Sequence, residues 1–207
     1  MEKHEMLQEV LDELQKDFLN PELIQDNKLY FQDKEKKYRA KMPTQKEQSD
    51  ANTHRDIKLG EFLKTKGLYR ISEWKKILKE NQDIDIDKIQ EEADNVLKEI
   101  IQVHLSTADK KDGENESIEK LKKQRDELFL KRRLLIIQKA EWLTSTIEMK
   151  TQDEYYRYLT TLCTEVLEDE QTDKWIKVWK NYEEYENDIS KLATLACGKL
   201  SELMFSI

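Results

Sequence analysis

Three histidines, two cysteines and a run of aspartates are the residues in this chain suited to holding a metal or attacking a substrate. His4-Glu5 opens like the zinc-protease motif, in which two histidines one helical turn apart hold the metal and the glutamate takes a proton. Gln8 stands where the second histidine is required. His4, His54 and His104 have no His, Cys or carboxylate partner at a recognised ligand spacing, and no Glu stands three residues before any of them, as a di-metal carboxylate bundle requires. Asp83, Asp85, Asp87 and Asp94 fall at positions 1, 3, 5 and 12 of a calcium loop. Such a loop turns on Gly at position 6 and closes with a bidentate Glu at position 12, where this chain has Lys88 and Asp94. The run reads instead as an acidic helix start. Cys163 and Cys197 sit on apolar helical stripes, where free cysteine packs as a small hydrophobe. A nucleophilic thiol would need a base and an electropositive setting, and none is visible. Gly60, Gly67, Gly113 and Gly198 build no phosphate-binding loop. No catalytic residue, metal ligand or cofactor is expected, and the chain is expected not to be an enzyme.

Two sets of residues suit binding. Leu121, Leu128, Leu135, Trp142 and Met149 recur every seven residues, with Phe129, Ile136 and Leu143 beside them. That is a heptad seam, but its companion positions Arg125, Arg132, Lys139 and Thr146 are polar, so a broad surface suits it better than a two-stranded zipper. Leu134 to Ile137 is apolar on every face, which predicts burial all round. The second set is aromatic: Tyr155, Trp175, Trp179, Tyr182 and Tyr185. Trp and Tyr dominate interface hot spots, and they also dominate small cores. Leu121, Leu128, Leu135, Trp142, Trp175, Trp179, Tyr182 and Tyr185 are therefore the candidate protein interface. The basic run from Lys120 to Arg133, broken by Asp126 and Glu127, suits an acidic partner or, more plainly, a solvated helix face.

Helices must carry these residues. Leu7, Val10, Leu11, Leu14 and Phe18 mark a first helix that Pro21 ends, and a weaker one is expected from Glu22 to Lys41. Together they predict a helical hairpin over 1–42. Residues 43–54 lack a large apolar side chain and read as a linker. Helix is expected again from Arg55, with a stop at Gly67 and a short helix capped by Ser72. Ile89, Ala93, Val96, Leu97, Ile100 and Val103 predict a helix starting at Asp85 or Asp87, which completes a segment over 55–106. Residues 107–116 read as a second linker. A long-helix bundle is expected over 117–207. One helix runs from Ser117 toward Met149, another starts at the capping-box pattern of Thr151 to Glu154, and a last one, capped by Thr172, runs to Phe205. Two helices of some 32 residues would each span about 50 Å. The expected fold is all-α, an elongated helical bundle or antiparallel coiled coil.

Composition bounds the rest. The chain has 207 residues, 39% charged and 37% hydrophobic, with four Gly and two Pro. Turn-rich folds need more of both. The net charge of −8 disfavours nucleic acid. The charge is uneven: residues 117–150 carry +4 and residues 151–207 carry −6. No apolar run approaches the ~20 residues of a membrane span, and Met1 to Leu11 shows no secretory h-region. Two cysteines make no disulfide framework, so a reducing compartment, cytoplasm or nucleus, is expected. The expected function is a non-enzymatic interaction or scaffold subunit of a multiprotein assembly of cytoskeletal, kinetochore or trafficking type. It would bind helical proteins or itself. The alternative is a monomeric adaptor or regulator with an aromatic groove for a peptide.

Overall fold

A computed structural model describes residues 24–108 and 115–205. The helix expected on Leu7 to Phe18 lies outside them. The described chain forms two compact units, one from residues up to 65 together with 150 onward, the other from 66–149.

The first unit overturns the all-α expectation, because it is built on a five-stranded antiparallel sheet in the order β1-β2-β3-β4-β5. Its strands are β1 (Ile24–Gln25), β2 (Lys28–Asp33), β3 (Lys36–Lys41), β4 (Thr164–Asp169) and β5 (Lys174–Lys177). The weak helix expected over 22–41, the second arm of the helical hairpin, is three strands from residue 24 on. Asp26 and Asn27 both take left-handed backbone and form the two-residue turn between β1 and β2. That geometry matches the twist of a hairpin, and Asn and Asp tolerate it best. Leu29 and Phe31 pack on the helical side of the sheet with Tyr38 and Ala40 opposite them, while Tyr30, Gln32, Lys37 and Arg39 alternate between them. Two inward residues per strand satisfy a period of two as well as they do a loose helical stripe.

Three helices fill the other layer: α1 (Gln45–Phe62), α5 (Ile147–Cys163) and α7 (Lys191–Phe205), with the short α6 (Tyr182–Glu186) beside them. Of residues 43–54, expected as a linker, those from Gln45 on are the start of α1. Thr44 closes a capping box there: its hydroxyl accepts from the Glu47 N–H, and the Glu47 carboxylate accepts from the Thr44 N–H at 2.8 Å. The helix lacks a large apolar stripe because it is seated through Ala51, which is fully buried against a core of Leu29, Ala40, Leu159, Cys163, Leu200 and Leu203. The chain leaves α5 at Cys163 and enters β4 at Thr164 without a loop, and β4 pairs with β3 on one side and β5 on the other.

The long last helix expected from Thr172 to Phe205 is broken into β5, α6 and α7. Asp173 takes left-handed backbone, and the Asp169 carboxylate accepts from the Thr172 hydroxyl, which makes a turn where a cap was expected. Asn181 caps α6 by accepting from the Glu184 N–H, and Asp188 and Ser190 together satisfy the entry to α7.

The second unit is helical: α2 (Ile71–Gln82), α3 (Ile86–Ala108) and α4 (Asn115–Leu143). Helix α2 begins at Ile71, whose N–H donates to Glu148, and not at a Ser72 cap. Asp85 starts α3, as expected, by accepting from the backbone of Asp87 and Lys88. Helices α3 and α4 pack antiparallel, with Lys131 on Glu92 and Lys139 on Gln90. Leu78, Ile86 and Leu143 form a small core, and the Trp74 indole donates to the Trp142 carbonyl at 2.7 Å. The chain breaks at 144–146 and not at Thr151. The Thr146 hydroxyl donates to the Leu143 carbonyl and accepts from the Met149 N–H, so Thr146 caps α5.

Candidate functional site

A polar cluster in the first unit joins three helices. His54 comes from α1, Glu154 and Tyr158 from α5, and Tyr182 from α6. The Tyr182 hydroxyl donates to Glu154 Oε2 at 2.7 Å, and His54 Nε2 lies 3.2 Å from the same oxygen. The imidazole stacks on Tyr158 with ring centres 4.6 Å apart and leans on Tyr182 at 4.5 Å. Only 16% of the His54 side chain and 12% of the Glu154 side chain are exposed. One carboxylate oxygen thus serves both neighbours in a largely dry setting, which ties the three helices together.

Burial, and then the hydrogen bond to the Glu154 carboxylate, holds the Tyr182 phenol well above its ordinary range. Burial does the same for Tyr185. A phenol whose folded pKa exceeds its unfolded value is preferred neutral by the fold. Its contribution is whole below the unfolded value of about 10 and falls as pH climbs through that value toward the folded one. Tyr182→Phe removes one such group. Above pH ~10 its stability should fall less steeply than that of the parent. Urea unfolding at several alkaline pH values checks this, and equal slopes would mean that the phenol ionises without cost in the fold.

The aromatic residues singled out in the sequence divide. Trp179 and Tyr185 are buried edge-to-face at 4.9 Å, packed on Ala193 and Ala196. The Trp179 indole donates to Asp188 at 2.9 Å. Tyr182 is half-buried in the His54 cluster. Trp175 lies apart from them on the sheet, with Arg39 4.3 Å from its ring centre and Tyr30 edge-on. The Arg39 guanidinium also meets Glu165 at 2.7 Å. A cleft of about 300 Å³ is lined by Asp153, Arg157, Tyr185, Asp188, Cys197 and Ser201. Its thiol is not activated, since burial raises the Cys197 pKa. Burial pushes Cys163 up to about 12.

In the second unit, Leu121, Leu128, Leu135 and Trp142 are all half-buried on one side of α4. Ala93, Val96, Ile100 and Val103 are buried on α3, the helix that packs against it. The stretch Leu134 to Ile137, expected to be buried all round, is not: Leu134 is 58% exposed, Ile136 42% and Ile137 43%. With Leu130 at 59%, Leu134 and Ile137 form an exposed stripe at four- and three-residue steps, opposite the Leu121–Leu128–Leu135 side. The heptad reading drew attention to the packed side of this helix and missed the open one.

Three of the four aspartates of the calcium-like run, Asp85, Asp87 and Asp94, are engaged by the protein. Asp85 pairs with Lys79 at 2.7 Å and Asp87 pairs with Lys75, while Asp94 accepts from Gln90. Among the described residues no three His, Cys, Asp or Glu side chains gather as metal ligands, and no helix is long and apolar enough to cross a membrane. No protein-family model, curated protein or solved structure matches this chain.

Proposed function

We propose that this chain is a non-enzymatic interaction subunit of a multiprotein assembly, and that it docks helical partners through the open side of α4. The observation that carries the reading is the stripe of Leu130, Leu134 and Ile137, three large aliphatic side chains standing in solvent on a helix whose other side is packed. Grouped exposed aliphatics at helical spacing are the usual anchor set of helix-to-helix recognition. Burying them against a partner contributes ~25 cal/mol per Å² of apolar surface. The alternative, an aromatic groove for a peptide, has less support, because the rings of Trp179 and Tyr185 are core. Both cysteines are unpaired, which suits a reducing compartment, cytoplasm or nucleus.

Leu134→Glu tests the reading. A charge on an exposed face should change stability by no more than ~0.5 kcal/mol. The variant should keep the parent's circular dichroism but lose the proteins that co-purify with the parent chain. Unfolding would show that the face is core, and an unchanged set of co-purified proteins would show that it is not the docking surface.

A further inference from the structure

Resting on that docking reading, we infer that the helix received by the α4 stripe is α4 of a second copy of this chain, laid antiparallel to it. The face is self-complementary when reversed. In chain order its centre line carries Lys123, Glu127, Leu130, Leu134, Ile137 and Glu141. A two-fold axis through position 132 sets Leu130 opposite Leu134 twice. It also sets Lys123 opposite Glu141 twice, each ion pair about 13 Å from the axis along the helix. Glu127 then meets Ile137 and lies beside Gln138 of the other copy, an amide that can donate to its carboxylate. An isologous contact requires this kind of sequence, in which what one end presents the other end accepts.

The charges disfavour other occupants. Lys123, Lys131 and Arg133 on and beside this face are offset by Asp126, Glu127 and Glu141, so the stripe holds no net positive field for an acidic helix or an anionic bilayer. Two like-charge meetings remain, one at each rim: Arg133 and Lys131 each approach their own copy, where solvent and salt screen the repulsion, and Lys131 is also paired with Glu92. Two hairpins of α3 and α4 joined this way would form a four-helix layer with the leucines inside.

Sedimentation of the full chain across a concentration series tests the inference. The parent should dimerise. Leu134→Glu should be a monomer with the parent's circular dichroism. Lys123→Glu and Glu141→Lys should each weaken the dimer at least tenfold, and the double variant should recover most of that loss. A parent monomeric at every concentration, a dimer indifferent to Leu134→Glu, or a double variant no better than the singles would overturn the pairing.

A photo-crosslinking phenylalanine analogue at position 134, used in the cells that make the protein, separates this inference from the reading beneath it. A crosslink to a second copy supports the pairing. A crosslink to another protein or to lipid overturns it, the former leaving docking intact. No crosslink overturns both.

Discussion

Trp179→Ala will destabilise the first unit by about 3–5 kcal/mol, a large share of what a domain of this size has in hand. The indole is almost wholly buried and packs on Tyr185, Ala193 and Ala196, and small residues opposite a large ring leave nothing to fill the space it vacates. Its N–H also donates to Asp188, whose carboxylate accepts from the Ser190 backbone at the entry to α7. Burial works against ionisation of Asp188, but these hydrogen bonds outweigh it and hold the group below its usual range. Trp179→Phe keeps most of the apolar area and gives up the hydrogen bond, so it should cost about 1–2 kcal/mol. Urea unfolding followed by far-ultraviolet circular dichroism measures both. A loss under ~1 kcal/mol for the alanine variant would mean that the ring is not part of the core.

Glu154→Ala should be nearly as damaging, at about 2–4 kcal/mol, through desolvation and not through lost area. Two ring groups, the Tyr182 hydroxyl and His54, lose their shared acceptor inside a largely dry cluster. Glu154→Gln retains a carbonyl oxygen for one of them and should cost about half as much. If Glu154→Ala unfolds at the same urea concentration as the parent, the carboxylate is not what ties α1, α5 and α6 together.

The sequence showed the second unit more clearly than the first. Helix α3 announces itself through Ile89, Ala93, Val96 and Ile100, and a start at Asp85 or Asp87 follows from the chemistry of an anion at a helix N-terminus. The sheet was hidden for a different reason. Each strand offers only two inward residues, Leu29 with Phe31 and Tyr38 with Ala40, too few to separate a period of two from one of 3.6. The turn at Asp26-Asn27 was a local signal that such a hairpin starts there. The partner of β3 is remote: Arg39 and Glu165, whose side chains pair across the sheet, stand 126 residues apart. The first half of α1, before Arg55, was concealed by Ala51. A helix seated on one small residue carries no stripe, and only the Thr44-to-Glu47 cap betrays it.

The candidate sites divide along the same line. His54, Glu154 and Tyr182 come from three separate helices, so no spacing could have joined them. On α4 the two apolar faces are both written in the sequence. Periodicity says that a face exists, but not which face finds a neighbour within the chain. The half-buried side includes Arg125, Arg132 and Lys139, whereas the open side carries Leu130, Leu134 and Ile137. Polar residues at seam positions lower the apolar contrast that would have ranked one face above the other.

The insertion of one unit within the other has a consequence for the order of folding. Pairing β3 with β4 must close a loop of more than a hundred residues, and the entropy of that closure is lost before any strand contact returns it. The second unit shortens the task. Once it has formed, the Ile147 N–H donates to the Tyr69 carbonyl at 3.0 Å and draws its two ends together. The loop left to close is then about 50 residues, which lowers the entropic cost by roughly 0.8 kcal/mol. Helical contacts in the second unit are also nearer in sequence, and such contacts form sooner. The α-helical insert is therefore a folding aid for the sheet, and β3 and β4 should gain protection from hydrogen exchange only after α3 and α4 have.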